Sequence, residues 1–134
     1  MRSAFVVWSA FGLGLAQVLN GLYMLLAPEP WYHAIPTVPG TGPFNPHFVR
    51  DIGCAFVAAG AGLLWLWRDA RAWPAALIGC VFLGLHALTH VWDLLAGREE
   101  PAHFAIDSVL VVIPALWALW LAWPRQKLSE GAMR

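Results

Sequence analysis

The sequence predicts an all-α integral membrane protein, an antiparallel bundle of four helices that cross the bilayer. Three observations predict it. Hydrophobic residues make up 60% of the 134 residues and charged residues only 12%, more apolar surface than a soluble domain of this size can hide. Four apolar stretches reach the roughly 20 residues needed to cross a hydrocarbon core of about 30 Å. Basic residues partition sharply between the two ends of those stretches, as the positive-inside bias requires.

The stretches cover residues 3–27, 47–67, 73–96 and 103–123, and the whole chain, 1–134, forms one transmembrane domain. The first is too long for the apolar core of a signal peptide, which runs to roughly 7–15 residues, and no small-x-small cleavage site follows it. It is read as a retained helix. Pro28-Glu29-Pro30 ends it, because two prolines remove backbone donors. The 28–46 connection that follows carries Trp31, Tyr32 and His33 and then a run rich in Pro and Gly, which predicts an outer-surface segment folded over the bundle mouth. His33 is read as solvated.

The second helix opens after Pro46 and carries Gly53, Gly60 and Gly62 among several alanines, small residues that let transmembrane helices approach closely. It is expected at the centre of the packing, with a homodimer face as the alternative. Pro74 fits the first turn of the third helix, and Pro114 should kink the fourth.

Arg2, Arg68, Arg71, Arg125, Lys127 and Arg134 flank one face and only Arg50 and Arg98 the other, so both termini are expected in the cytoplasm. The acids Glu29, Asp51, Asp93, Glu99, Glu100 and Asp107 gather at the opposite, outer face. Net charge is zero and no basic surface is large enough for nucleic acid. Most of the nine tryptophans fall near helix ends, where an aromatic belt anchors a bundle in lipid. The two cysteines, Cys54 and Cys80, lie at different depths and do not form the CxxC pair of a thiol oxidoreductase.

Polar residues inside a bilayer are costly, and here they fall at one depth. The second helix opens with His47 and Asp51, the third ends with His86, His90 and Asp93, and the fourth opens with His103 and Asp107. Within each helix these residues share a face at i, i+4 or i+7 spacing. The first helix adds Gln17 and Asn20 at similar depth. His and Asp one turn apart on facing helices are how bundles build nitrogen and oxygen ligand sets. The candidate metal ligands are therefore His47, Asp51, His86, His90, Asp93, His103 and Asp107, with Asn20 and Arg50 as further cofactor-binding residues. Asp51, His86, His90 and Asp107 are expected deepest, on faces turned inward, and Arg50 is placed to pair with Asp51 or Asp107. The implied cofactor is a divalent metal, Zn or Fe, in a membrane oxidoreductase or hydrolase. The competing readings are haem held by two histidines, a quinone-binding or proton-relay pocket, and an accessory or assembly subunit of a larger membrane complex.

Arg50-Asp51-Ile52-Gly53, opening a small-residue helix in a four-helix chain of this length, resembles the DoxX-like and related uncharacterised small bacterial membrane proteins. The resemblance covers the helix layout and this opening alone. It implies a compact four-helix bundle, in a group with some members tied to quinone-linked oxidation; with the charge bias, the expected location is the bacterial inner membrane, the polar cluster facing the periplasm or exterior. Only the fold is carried over.

Overall fold

A computed structural model describes residues 3–124. The basic residues Arg2, Arg125, Lys127 and Arg134, on which much of the expected orientation rests, lie outside them. All regular structure among the described residues is helical: α1 (Ala4–Leu26), the short α2 (Pro28–Ala34), α3 (Pro46–Arg68), α4 (Trp73–Leu95), α5 (Pro101–Asp107) and α6 (Ile113–Ala122). A π turn, Ser108–Val112, joins α5 to α6 into one continuous rod. Four helical rods, Ala4–Leu26, Pro46–Arg68, Ala70–Leu95 and Pro101–Ala122, are long and apolar enough to cross a membrane.

Local chemistry fixes the ends. Ser3 caps α1 by accepting from the Val6 amide. Asn45 Oδ1 accepts from the His47 and Phe48 amides at 3.1 Å, and Pro46, whose missing donor costs nothing at a first turn, follows it into α3. At the end of α4 the Gly97 amide donates to Leu94 and the Arg98 amide to Asp93, a Schellman pair that needs a left-handed residue between. Gly97 supplies it at φ 68°.

Packing is built on absent side chains. A Cβ on Gly21 would lie 2.6 Å from the Gly53 carbonyl oxygen, and one on Gly60 2.6 Å from that of Gly14, so α1 and α3 touch backbone to backbone. A Cβ on Gly62 would meet Ala75 and Ala76, and one on Gly79 would meet Ala59, which brings α4 against another face of α3. The small-residue faces of α3 are thus occupied within the chain. Leu63, Leu66, Ala76 and Cys80 are fully buried in this core, with Ala118 and Ala122 from α6. Around it the surface is apolar: Ile78 is 75% exposed, Leu95 76% and Leu26 82%, which suits lipid and not water.

Pro114 perturbs its helix, and the perturbation is a widened turn. With no amide on Pro114, the ladder shifts one residue early and the Ile113 amide donates to Ser108. In an unbroken α-helix Asp107 would stand about 80° around from Ala115. The π turn rotates less per residue, and Asp107 comes onto the same buried face as Ala115 and Ala118.

The 28–46 connection folds back on the bundle. Trp31 Nε1 donates to Asn20 Oδ1 of α1 at 2.9 Å, and the Tyr32 hydroxyl donates to the Gly42 carbonyl at 2.6 Å, closing the segment on itself. Between them Thr37 is buried and faces α5.

Candidate metal centre

Three elements converge beneath that segment. His90 projects from the last turns of α4, Asp107 from the end of α5, and Glu99 from the short connection between them. His90 Nδ1 lies 2.7 Å from Asp107 Oδ2, with the two side chains 18% and 2% exposed. Thr37 Oγ1 donates to Asp107 Oδ1 at 2.8 Å. Ligand-capable atoms of His90, Glu99 and Asp107 all lie within 4.8 Å of one another.

The carboxylates are under-compensated. Asp107 Oδ2 and Glu99 Oε2 are buried without an aligned hydrogen-bond donor, because the approach of His90 Nδ1 to Oδ2 is close but off the line of a ring N–H. Among the described residues no Lys or Arg pairs with either acid. Two carboxylates at this separation repel by roughly 3–4 kcal/mol at an effective dielectric of about 20. Something positive must sit between them, a proton or a cation. Burial, and then the hydrogen bond and charge of Asp107, hold the Glu99 carboxyl above the ordinary carboxylate range. A hydrogen bond between the two acids requires that one be protonated, which is the proton's version of the same compensation.

The donor set fits a metal of the nitrogen and oxygen class: one imidazole, two carboxylates and no thiolate, since Cys80 is buried in the core and Cys54 is exposed on α3. Ligand bonds of about 2.0–2.2 Å would place neighbouring donors about 3.4 Å apart in a tetrahedral site. The observed spacing, all within 4.8 Å, is compatible with that value.

No family model, curated protein or solved structure matches the chain.

The other candidate residues are dispersed. His47 and Asp51 approach each other, Nε2 to Oδ2 at 3.5 Å, with side chains 87% and 60% exposed. The expected inward turn of this α3 face is not found: Asp51 stands about 200° from Gly53, the residue packed on α1, so the same rotation that seats the glycine turns the acid out. Asp93 is taken by Arg98, whose Nη1 donates to Oδ1 at 3.3 Å. Arg50 pairs with neither Asp51 nor Asp107; its Nε donates to the Leu25 carbonyl. Asn20 holds Trp31. His103 is exposed at the rim of the cavity described next. His86 sits one turn below His90 with ring centroids 5.0 Å apart, stacked on Phe82.

Glu99 and Thr37 are the two members that motif spacing did not single out. Glu99 carries no helical periodicity, but the α4–α5 connection is so short that its residues must lie across the mouth between His90 and Asp107. Thr37 has no comparable signal.

The centre opens into a cavity of about 1200 Å³ between the bundle and the 28–46 segment. Gln17, Asn20, Phe56, His86 and Leu110 line its deeper part, and Trp31 and Tyr32 its outer wall.

Proposed function

We propose that this protein is an integral membrane metalloprotein whose centre, His90, Glu99 and Asp107, binds one Zn or Fe ion at the wall of an internal cavity. The observation that carries this reading is the pair of buried carboxylate oxygens, Asp107 Oδ2 and Glu99 Oε2, which face each other beside His90 Nδ1 with no Lys or Arg among the described residues to compensate them. Natural proteins rarely leave such atoms uncompensated. In this reading the bundle is antiparallel, both termini are cytoplasmic and the cavity faces outward; the four apolar rods and the spread of arginines support it. Kinship with the DoxX-like group is proposed at the level of helix layout only.

His90, Glu99 and Asp107 would give a metal three protein ligands beside the cavity, the number found in catalytic sites. A metal held there would supply Lewis-acid chemistry. Thr37 fixes the orientation of Asp107 by occupying Oδ1, which leaves Oδ2 for the ion. The 28–46 segment covers one side of the centre through Thr37. One imidazole with two carboxylates is not the axial pair of a haem.

A second reading has one observation in its favour. The raised Glu99 carboxyl fits a proton shared with Asp107, as in a relay that passes protons by way of His90. Elemental analysis of protein purified in mild detergent, without chelators or a metal-affinity column, separates the two. One Zn or Fe per chain, lost in Asp107→Asn and in His90→Ala, is expected. Metal-free wild-type protein with a carboxylic-acid infrared band abolished by Glu99→Gln would establish the shared proton instead.

A further inference from the structure

The floor of the cavity lies deeper than the metal centre and is built differently. Gln17 is 9% exposed, yet its carboxamide makes no hydrogen bond to any described residue. The His86 ring lies parallel to Phe82, at 9°, and edge-on to Phe56, and its nitrogens have no hydrogen-bond partner among the described residues. Gln17 and His86 also share a second, water-sized void of about 20 Å³ with Leu110 and Pro114. Gln17 and His86 thus present unused donors and acceptors to the cavity, where water or a polar group of a bound molecule can take them up.

The surroundings restrict what that group is. The small void at the floor is lined by a carboxamide and an imidazole and by no Lys, Arg, Asp or Glu, the His90–Asp107 pair standing one turn above His86, and the acids at the mouth oppose an anion. The volume exceeds the roughly 300–1,000 Å³ of pockets for drug-sized molecules and suits a long apolar body. The side wall is thin in backbone: no Cα of α1 comes within 8 Å of one in α5 or the π turn, and the ring contact between α1 and α6, Phe5 with Trp117, lies at the far end. At the level of the cavity only side chains stand between these two rods, whose outer surfaces are apolar.

We propose that the cavity binds a neutral single-chain amphiphile drawn from the bilayer, a long-chain alcohol or aldehyde, with its oxygen hydrogen-bonded by Gln17 and His86 and its chain against Phe56 and Phe82. The inference rests on the cavity alone and holds whether or not a metal is bound. The chain leads past the metal centre, so a bound molecule is within reach of it.

The test is photolabelling of the full chain in lipid nanodiscs with hexadecanol carrying a mid-chain diazirine, followed by mass-spectrometric mapping. Crosslinks at Phe56 or Phe82, competed by unlabelled hexadecanol and not by hexadecane or palmitate, are expected. Gln17→Leu, which keeps the volume, should raise the competing concentration about tenfold, the loss of one hydrogen bond. The crosslinks should be the same in EDTA-treated and Zn-loaded protein, which separates this inference from the metal reading. Crosslinks confined to lipid-facing positions such as Ile78 and Leu88, or cavity crosslinks competed as well by hexadecane or palmitate, would overturn it.

Discussion

Asp107 Oδ2 stands 2.7 Å from His90 Nδ1 while its other oxygen accepts from Thr37, so one buried carboxylate links α4, α5 and the 28–46 segment. The π turn behind Pro114 is what brings it inward. Packing, polarity and access to the cavity therefore meet at a single side chain, and substitutions around it have distinguishable outcomes.

Asp107→Asn keeps an acceptor for Thr37 but removes the charge. Metal retention should be lost. In the presence of EDTA the variant should melt at or above the wild-type temperature, because an uncompensated buried charge has gone. A large drop in Tm under EDTA would mean that the ionised carboxylate stabilises the metal-free fold.

Thr37→Val deletes the one side-chain bond from the covering segment to the centre. A hydrogen bond to a charged acceptor contributes roughly 1.5–3 kcal/mol. Amide exchange in residues 36–42 should accelerate about tenfold or more, while exchange in the middle of α3 is unchanged. Thr37→Ser should restore protection; equal exchange in Val and wild-type proteins would show that the segment is held by Tyr32 and Trp31 alone.

Gly21→Ala places a methyl group 2.6 Å from the Gly53 carbonyl oxygen and 2.8 Å from Val57 Cγ2. Rigid backbone cannot yield cheaply, and a loss of about 1–3 kcal/mol is expected. Gly12→Ala, with nothing within 4 Å of the added carbon, should be neutral or slightly stabilising. The pair is read by thermal unfolding in detergent, and similar Tm values for both would remove the close α1–α3 approach from the account.

The raised Glu99 carboxyl gives a pH dependence whose sign can be worked out. A folded-state pKa above the unfolded value means stability from this group is fully present below the unfolded value and declines as pH rises through the folded one. Metal binding must displace the same proton, so affinity should run the opposite way, falling as pH drops toward and below that folded value. Zn titrations over a pH series measure this. An affinity flat from neutral pH down to the ordinary carboxylate range would exclude Glu99 as a ligand.

The four apolar rods were legible because length and hydropathy are properties of the sequence alone. The two HxxxD motifs were not separable in that way. His47–Asp51 and His103–Asp107 have identical spacing, yet Asp51 is exposed and Asp107 buried, because helix rotation is set by partners. For α3 the clue was present in Gly53, whose packed face opposes Asp51. For the fourth rod the π turn that aims Asp107 inward follows from Pro114, but its placement over Ser108–Val112 depends on tertiary packing. Glu99 was counted among the outer acids and joins the site only because Gly97 reverses the chain.

The most direct test of the metal centre is X-ray absorption spectroscopy on the Zn-loaded protein. One imidazole and two carboxylate ligands are predicted, with Zn–N and Zn–O distances of about 2.0–2.2 Å and no sulfur shell. Two or more imidazoles, a thiolate, or a shell of water oxygens alone would contradict the assignment of His90, Glu99 and Asp107.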